Sequence, residues 1–203
     1  MKLYFTPTSP FVRKVMVCAH ERGLAEQVET VLLRPSPMKA DAALSRENPL
    51  SKIPVLVTGD GESIYDSSVI CEYLDSIGDA APLTPARGPA RFRTLRLQAL
   101  ADGILEAGVF MFYERTLRPK ELQWEAGIDG QAEKARQGLD ALEREAPGFS
   151  EVDLGQVCVA VTLGWLEFRA PLGDLRQGRP NLFAWYDAFC QRPSMQATAP
   201  KLT

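Results

Sequence analysis

The sequence predicts two domains of different class: a mixed α/β domain over residues 1–78 and an all-helical bundle over residues 90–203. Three observations carry this. Strand-like and helix-like segments alternate as far as Gly78. Residues 79–89 (DAAPLTPARGP) then hold three prolines and one glycine without periodicity, which marks a linker. Beyond them apolar residues recur only at helical spacing. A chain of 203 residues is long enough for two such cores.

The elements of the first domain follow in order. Lys2–Thr6 is a short strand candidate, and Phe11, Val12, Val15, Met16, Cys18 and Ala19 make a helical stripe that ends at Gly23. Residues 28–33 (VETVLL) are a β-branched run that reads as a second strand. A segment of undefined structure follows. Residues 53–58 (IPVLVT) and 62–65 then flank Gly59-Asp60-Gly61, a hairpin signal. Ile70, Tyr73, Leu74 and Ile77 give a helix that Gly78 closes. A strand–helix–strand unit wants parallel pairing whereas a hairpin is antiparallel, so the four-stranded sheet is expected to be mixed.

Four helices are expected in the second domain. Leu97, Leu100, Ile104, Ala107, Gly108 and Met111 define a long one, and Ala132, Ala135, Leu139 and Leu142 a second. Leu154, Val157, Cys158, Val161 and Trp165 define a third, apolar nearly all round and so central. Leu182, Trp185, Tyr186 and Phe189 define the fourth.

Composition narrows the function. Lys and Arg total 23 against 26 Asp and Glu, a net charge of −3 that argues against a nucleic-acid or anionic-membrane partner. No apolar run approaches the roughly 18–20 residues of a membrane span. Pro7 and Pro10 interrupt the N-terminus before a signal-peptide apolar region forms, so a cytoplasmic protein is expected. Cys18, Cys71, Cys158 and Cys190 are scattered among apolar neighbours and read as buried, reduced core thiols. One histidine, His20, is too little for a His-based metal site, and no metal is expected.

Three short segments carry candidate chemistry. Thr8-Ser9-Pro10 places a hydroxyl immediately before a proline at the first helical position. Ser9 either caps the helix only or also donates to an anion such as a thiolate, where the helix dipole would assist. Without a Ser-His-Asp arrangement it is not a covalent nucleophile. In Lys52-Ile53-Pro54-Val55 the proline stands at the start of an apolar strand. It is either an ordinary trans residue or a cis one that turns the Ile53 backbone outward to pair with an extended peptide. Asp66-Ser67 either caps the following helix or grips an amino acid, Asp66 meeting the ammonium and Ser67 the carboxylate.

Taken together, MKLYFTPTSPFVRKV, NPLSKIPVL and YDSSVICEYL in this order resemble the thioredoxin-like domain of glutathione S-transferases, and the Pro-rich linker and helical second domain extend the resemblance over nearly the whole chain. The resemblance implies that glutathione is the co-substrate, that Pro54 is cis, that Ile53 pairs with the cysteinyl backbone, and that Asp66 and Ser67 hold the γ-glutamyl end. Lys39 or Lys52 would meet the glycyl carboxylate. It implies that Ser150-Glu151-Val152-Asp153 caps the central helix, Ser150 and Asp153 serving each other's backbone N–H groups. Some branches place a cysteine at the first helix's start; Thr8-Ser9-Pro10 stands there instead, which disfavours a thiol reductase. Others use an N-terminal tyrosine, and Tyr4 is available, but Ser9 is preferred because it sits where the helix dipole acts. Phe11, Phe110 and Tyr113 are the apolar candidates for an electrophile pocket, and a homodimer is implied. The expected function is transfer of glutathione, as thiolate, to small hydrophobic electrophiles. The alternative is a catalytically weak glutathione-binding stress or adaptor protein on the same fold.

Overall fold

A computed structural model describes residues 1–200. The chain divides into two compact units, one of residues 1–85 joined by the segment that begins at Pro193, the other of residues 86–192.

The first unit opens with β1 (Lys2–Phe5), α1 (Pro10–Glu21) and β2 (Glu29–Leu32), continues through a single turn of helix α2 (Leu44–Glu47), and ends with β3 (Val55–Val57), β4 (Ser63–Ile64) and α3 (Ser67–Ile77). The sheet order is β2-β1-β3-β4. β1 runs parallel to β2, with Leu3 opposite Thr30, and antiparallel to β3, with Tyr4 opposite Val55. β3 and β4 are also antiparallel, Leu56 facing Ile64. The sheet is therefore mixed and four-stranded, as the hairpin and the strand–helix–strand unit required. One consequence positions everything that follows: the chain leaves β1 and β4, and enters β3, at the same end of the sheet.

Leu3 and its cross-strand partner Leu56 share one face of the sheet and Val55 points to the other, and all three are fully buried, as are Val15, Cys18, Ile70, Cys71 and Leu74 of the helices. Each such side chain contributes about 1.5–3 kcal/mol by leaving water. α1 and α3 are also joined by polar links. The Cys18 thiol donates to the Cys71 carbonyl at 3.7 Å. Arg22 forms a buried ion pair with Asp75, Nε to Oδ1 at 3.1 Å, and its guanidinium donates to the carbonyls of Asp75, Gly78 and Ala80. The Asp75 carboxylate in turn accepts from the Leu83 and Thr84 N–H groups at 2.7 and 2.8 Å. The stretch read as a linker from residue 79 is thus fastened to the first unit through Thr84, because its backbone donors complete a buried carboxylate.

The second unit contains α4 (Gly88–Thr116), α5 (Glu125–Glu145), α6 (Leu154–Arg169) and α7 (Pro180–Phe189). Every residue of α6 from Leu154 to Leu166 is buried, which is the central position its all-round apolar sequence demanded. Gly155 and Gly138 are among the positions where close approach needs glycine. A Cβ on Gly155 would lie 2.8 Å from the Thr94 carbonyl oxygen and 2.8 Å from the Leu97 Cβ, and one on Gly138 would meet Ile104 at 2.7 Å. α7 is capped from outside its own sequence: Glu143 on α5 accepts the Asn181 and Leu182 N–H groups at 3.1 and 2.7 Å.

The cap of α6 lies one turn later than the family resemblance implied. Asp153, not Ser150, is the N-cap, and its Oδ1 accepts the Gln156 N–H at 2.8 Å. Its other oxygen accepts the Thr94 hydroxyl at 2.8 Å, and the Gln156 side chain donates back to the Glu151 carbonyl at 2.5 Å. Asp153 thus caps the helix through the Gln156 N–H, and the helix starts where Gly155 can press on α4.

The domain limits read from sequence also shift. Residues 193–200 do not belong to the helical unit: α8 (Pro193–Ala197) packs on α1. The Arg13 guanidinium donates to the Met195 carbonyl at 3.2 Å, and Ser194 donates to the Glu21 carboxylate at 2.5 Å. Polar contacts of this kind leave no periodicity to read. Cys18, Cys71 and Cys158 are buried free thiols as expected, but Cys190 is partly exposed, at the end of α7 rather than on its core face. Among the described residues no helix is long and apolar enough to cross a membrane.

Two glycine-to-alanine changes should have opposite signs. Gly155→Ala should destabilise by about 1–3 kcal/mol, since a backbone carbonyl cannot move aside easily. Gly130→Ala, in α5 with nothing within 4 Å of the added methyl, should stabilise by about 0.5–1 kcal/mol. Urea unfolding of both variants decides it, and equal shifts would show that α4–α6 contact is looser than described.

Candidate functional site

The three segments singled out by sequence gather at one end of the sheet, because β1 and β4 finish there and β3 starts there. Ser9 is the N-cap of α1, with Pro10 at the first helical position. Its Oγ accepts the Val12 N–H at 3.3 Å. Accepting leaves the hydroxyl proton to be donated, and among the described residues no acceptor takes it. The N–H groups of α1's first turn point the same way with the positive end of the dipole.

The Ile53–Pro54 peptide is cis, as the resemblance implied. Pro54 is buried and Ile53 partly exposed just before β3, where Val55 pairs with Tyr4. Tyr4 itself lies inside the ladder, between Val31 and Val55, rather than in the connection that carries Ser9.

Asp66 is the N-cap of α3 and is exposed, whereas Ser67 is buried. One carboxylate oxygen, Oδ1, takes both capping bonds, from Ser68 N–H at 2.9 Å and Val69 N–H at 3.4 Å. That leaves Oδ2 facing outward. The Tyr65–Asp66 peptide is also cis.

The remaining candidates are scattered between the units. Phe11 belongs to the first turn of α1, partly exposed. Phe110 and Tyr113 lie on α4, three residues apart and 36% and 41% exposed, so neither ring is consumed by the core. Lys39 and Lys52 are both exposed, and Lys52 directly precedes Ile53.

Sequence reading missed the residues that hold the cis-proline connection. Buried Asn48 donates from its amide to the Lys52 carbonyl at 3.0 Å and accepts the Leu50 N–H at 3.0 Å. Ser51, in the left-handed region at φ 51°, donates its N–H to the Asn48 carbonyl, and its hydroxyl accepts the Asp41 N–H at 2.8 Å. Asp41 caps α2 through the Ala43 and Leu44 N–H groups, both at 2.9 Å. The Asn48-Pro49 dipeptide is a turn signal that could have located this scaffold. Among the described residues no group of three or more His, Cys, Asp or Glu side chains is placed to hold a metal ion.

Comparison with known proteins adds to this geometry. Residues 8–77 match the family model "Glutathione S-transferase, N-terminal domain", and residues 125–188 match "Glutathione S-transferase, C-terminal domain". The sequence is 34% identical to the GST-like protein YibF of Escherichia coli, itself uncharacterized, over 98% of each chain. The fold superposes with a TM-score of 0.94 on a crystal structure of a glutathione transferase family member from Pseudomonas fluorescens with bound glutathione, 45% identical over 99% of each chain. A second structure from that species, with bound S-(propanoic acid)-glutathione, gives a TM-score of 0.91 at 45% identity over the full length of both chains.

Asn48→Ala should cost about 1–3 kcal/mol, because the Leu50 N–H and the Lys52 carbonyl lose a buried partner. Hydrogen exchange supplies the specific check: Leu50 and its neighbours up to Ile53 should lose protection while the β1 amides keep theirs. Unchanged exchange at Leu50 would mean that this connection is held by other contacts.

Proposed function

The chain belongs to the glutathione S-transferase family, and on that premise we propose that it binds glutathione across the end of its sheet and transfers it, as thiolate, to small electrophiles. The observation that carries the reading is the Ser9 cap: its oxygen is engaged by the Val12 N–H and its proton has no acceptor among the described residues. A thiolate placed there would receive one charge-assisted hydrogen bond and the partial positive charge of α1. Both act on the anion and not on the neutral thiol, so both lower the thiol pKa from about 8.5 toward neutrality.

The other contacts anchor the tripeptide. Ile53, partly exposed just before β3, offers its N–H and carbonyl to the cysteinyl backbone in the manner of strand addition. The outward Oδ2 of Asp66 meets the γ-glutamyl ammonium, and Ser67 with the first N–H groups of α3 meets its carboxylate. Phe11 in the first unit is a candidate apolar surface for the electrophile, and Phe110 and Tyr113 are the candidates in the second. The protein is proposed to work as a cytoplasmic homodimer. The S-(propanoic acid)-glutathione held by the Pseudomonas relative favours electrophiles that leave a short acidic arm on sulfur, alongside apolar ones. Exchange of thiols is disfavoured by position: Cys18 is fully buried, two turns into α1, with its proton on the Cys71 carbonyl.

Turnover of glutathione with a chloroarene and with acrylate tests the reading. Saturable binding with no turnover of either would favour the adaptor alternative. Asp66→Ala should lose at least tenfold in glutathione affinity, an amount that corresponds to about 1.4 kcal/mol. Its stability should fall by only about 0.5–2 kcal/mol, the value of a cap. Calorimetry showing wild-type affinity would reduce Asp66 to a cap.

Ser9→Ala should leave the glutathione dissociation constant nearly unchanged while raising the pKa of the bound thiol. A charge-assisted hydrogen bond is worth about 1.5–3 kcal/mol, or roughly one to two pKa units. Less thiolate then exists at neutral pH, so turnover should fall about tenfold or more and recover as pH rises toward 9. The variant also loses a cap worth about 1 kcal/mol, so rates must be read well below its melting transition. An unchanged pH–rate profile would transfer attention to Tyr4→Phe.

A further inference from the structure

Arg169 closes α6 and has no part in the contacts described so far. It is partly exposed, and its guanidinium carbon stands 4.7 Å from the centroid of the Phe112 ring on α4 and 4.7 Å from that of its neighbour Phe168. Phe112 meets Trp165 edge to face at 6.0 Å and lies 5.9 Å from Tyr113. Two packed rings therefore hold one planar cation. Among the described residues the guanidinium has no carboxylate partner, and its Nε is shut away from solvent without an acceptor. The two Nη groups stay at the surface. Glu167, two residues earlier, bonds instead to Arg176 at 2.8 Å, and Arg176 also holds Asp187 at 2.9 Å.

A helix C-terminus favours a cation, which explains a positive charge here but not this one. Lysine would serve the dipole and keep its ammonium in water. An arginine clamped by rings presents a fixed edge with its two Nη groups, the geometry that a planar carboxylate takes up in a bidentate pair. Aromatic surface around that edge suits the short carbon chain behind such a carboxylate. One guanidinium balances one negative charge, so a monocarboxylate leaves no excess, whereas a phosphate would. From the proposed glutathione reading, on which this step rests, we infer that Arg169 is a specificity-determining residue that receives the carboxylate of an unsaturated monocarboxylic acid such as acrylate. The link on the helical unit is Phe112, which packs against both Arg169 and Tyr113, an apolar candidate for the electrophile. In the reaction the thiolate sulfur forms a bond to the β-carbon, the π pair of the carbon–carbon double bond moves to the α-carbon, and that carbon takes a proton from solvent. Nothing is oxidised or reduced. Pairing with the guanidinium offsets the carboxylate charge that would otherwise repel the thiolate.

The test compares acid with amide on the intact protein, because acrylamide has the shape of acrylate without its charge. Arg169→Gln should lower the acid-to-amide ratio of kcat/KM by about tenfold or more, the value of a charge-assisted pair. The products give the same comparison without turnover. By calorimetry, S-(2-carboxyethyl)glutathione should lose affinity for Arg169→Gln by a similar factor relative to S-(2-carbamoylethyl)glutathione. Arg169→Lys, which restores the charge but not the fork, should lie between the two proteins in both ratios. Unmoved ratios in Arg169→Gln would overturn the inference, even if acid and amide rates fell together, since the side chain would then serve the fold. Where Arg169→Gln does not melt cooperatively, Arg169→Lys carries the decision, and wild-type ratios in it overturn the inference. Wild-type protein that binds glutathione but takes both products alike would overturn it too. Failure of the wild-type protein to bind glutathione at all would overturn instead the reading beneath it.

Discussion

The buried Arg22–Asp75 ion pair sets the height at which α1 and α3 lie against each other, and the site depends on that height. Both helices run from the functional end of the sheet toward this pair. At the opposite end stands the contact of Lys14 with Ser68. Between the two links α1 spans eight residues and α3 seven, about 12 and 10.5 Å of helix. The spans match, so the apolar faces between them meet without slippage and both N-termini arrive at the same level. Leaving either member of such a pair buried alone costs about 3–5 kcal/mol, which makes the register hard to change. Asp75 also secures Leu83 and Thr84, so the same carboxylate fixes where the chain departs from the first unit.

Much of this was legible because it obeys a period or a cap. Alternation located β1 and the hairpin, the 3.6-residue spacing located α1, α3 and the four helices of the second unit, and Ser9, Pro54 and Asp66 stood out as local chemistry. What stayed hidden is held by contacts between side chains and backbone. The Asp41–Ser51–Asn48 scaffold has no hydrophobic rhythm, although it aims Ile53. The α8 segment is short and is tied down by Arg13 and Glu21 of α1, through bonds that follow no period. The cap of α6 was misplaced by one turn since both Ser150 and Asp153 are good caps, and only the pressure of Gly155 on Thr94 and Leu97 decides between them. Lys14 was invisible for a related reason: nothing in a sequence tells a buried lysine from an exposed one.

The site works with few titratable groups. The single histidine, His20, is in the last turn of α1, far along the helix from Ser9. On the proposed reading, proton shuttling by imidazole has no part, and rate enhancement comes from stabilising an anion that glutathione itself supplies. Helix ends and a hydroxyl are suited to that task because neither needs to change protonation during the reaction. Family membership gives the frame for this arrangement, while the residues at the helix starts give its chemistry.

The return of α8 to the first unit gives the chain a temporal order. Its first 85 residues emerge from the ribosome early and hold the sheet, the helices and the ion pair, yet the segment that covers α1 is made only after the whole helical unit. While the second unit is being synthesised, Arg13 and Glu21 lack the bonds they later make with Met195 and Ser194. Domains that fold as units during synthesis normally finish in chain order. Here the first unit starts before the second and is completed after it, so a nascent chain carries an unfinished α1 surface until α8 is released.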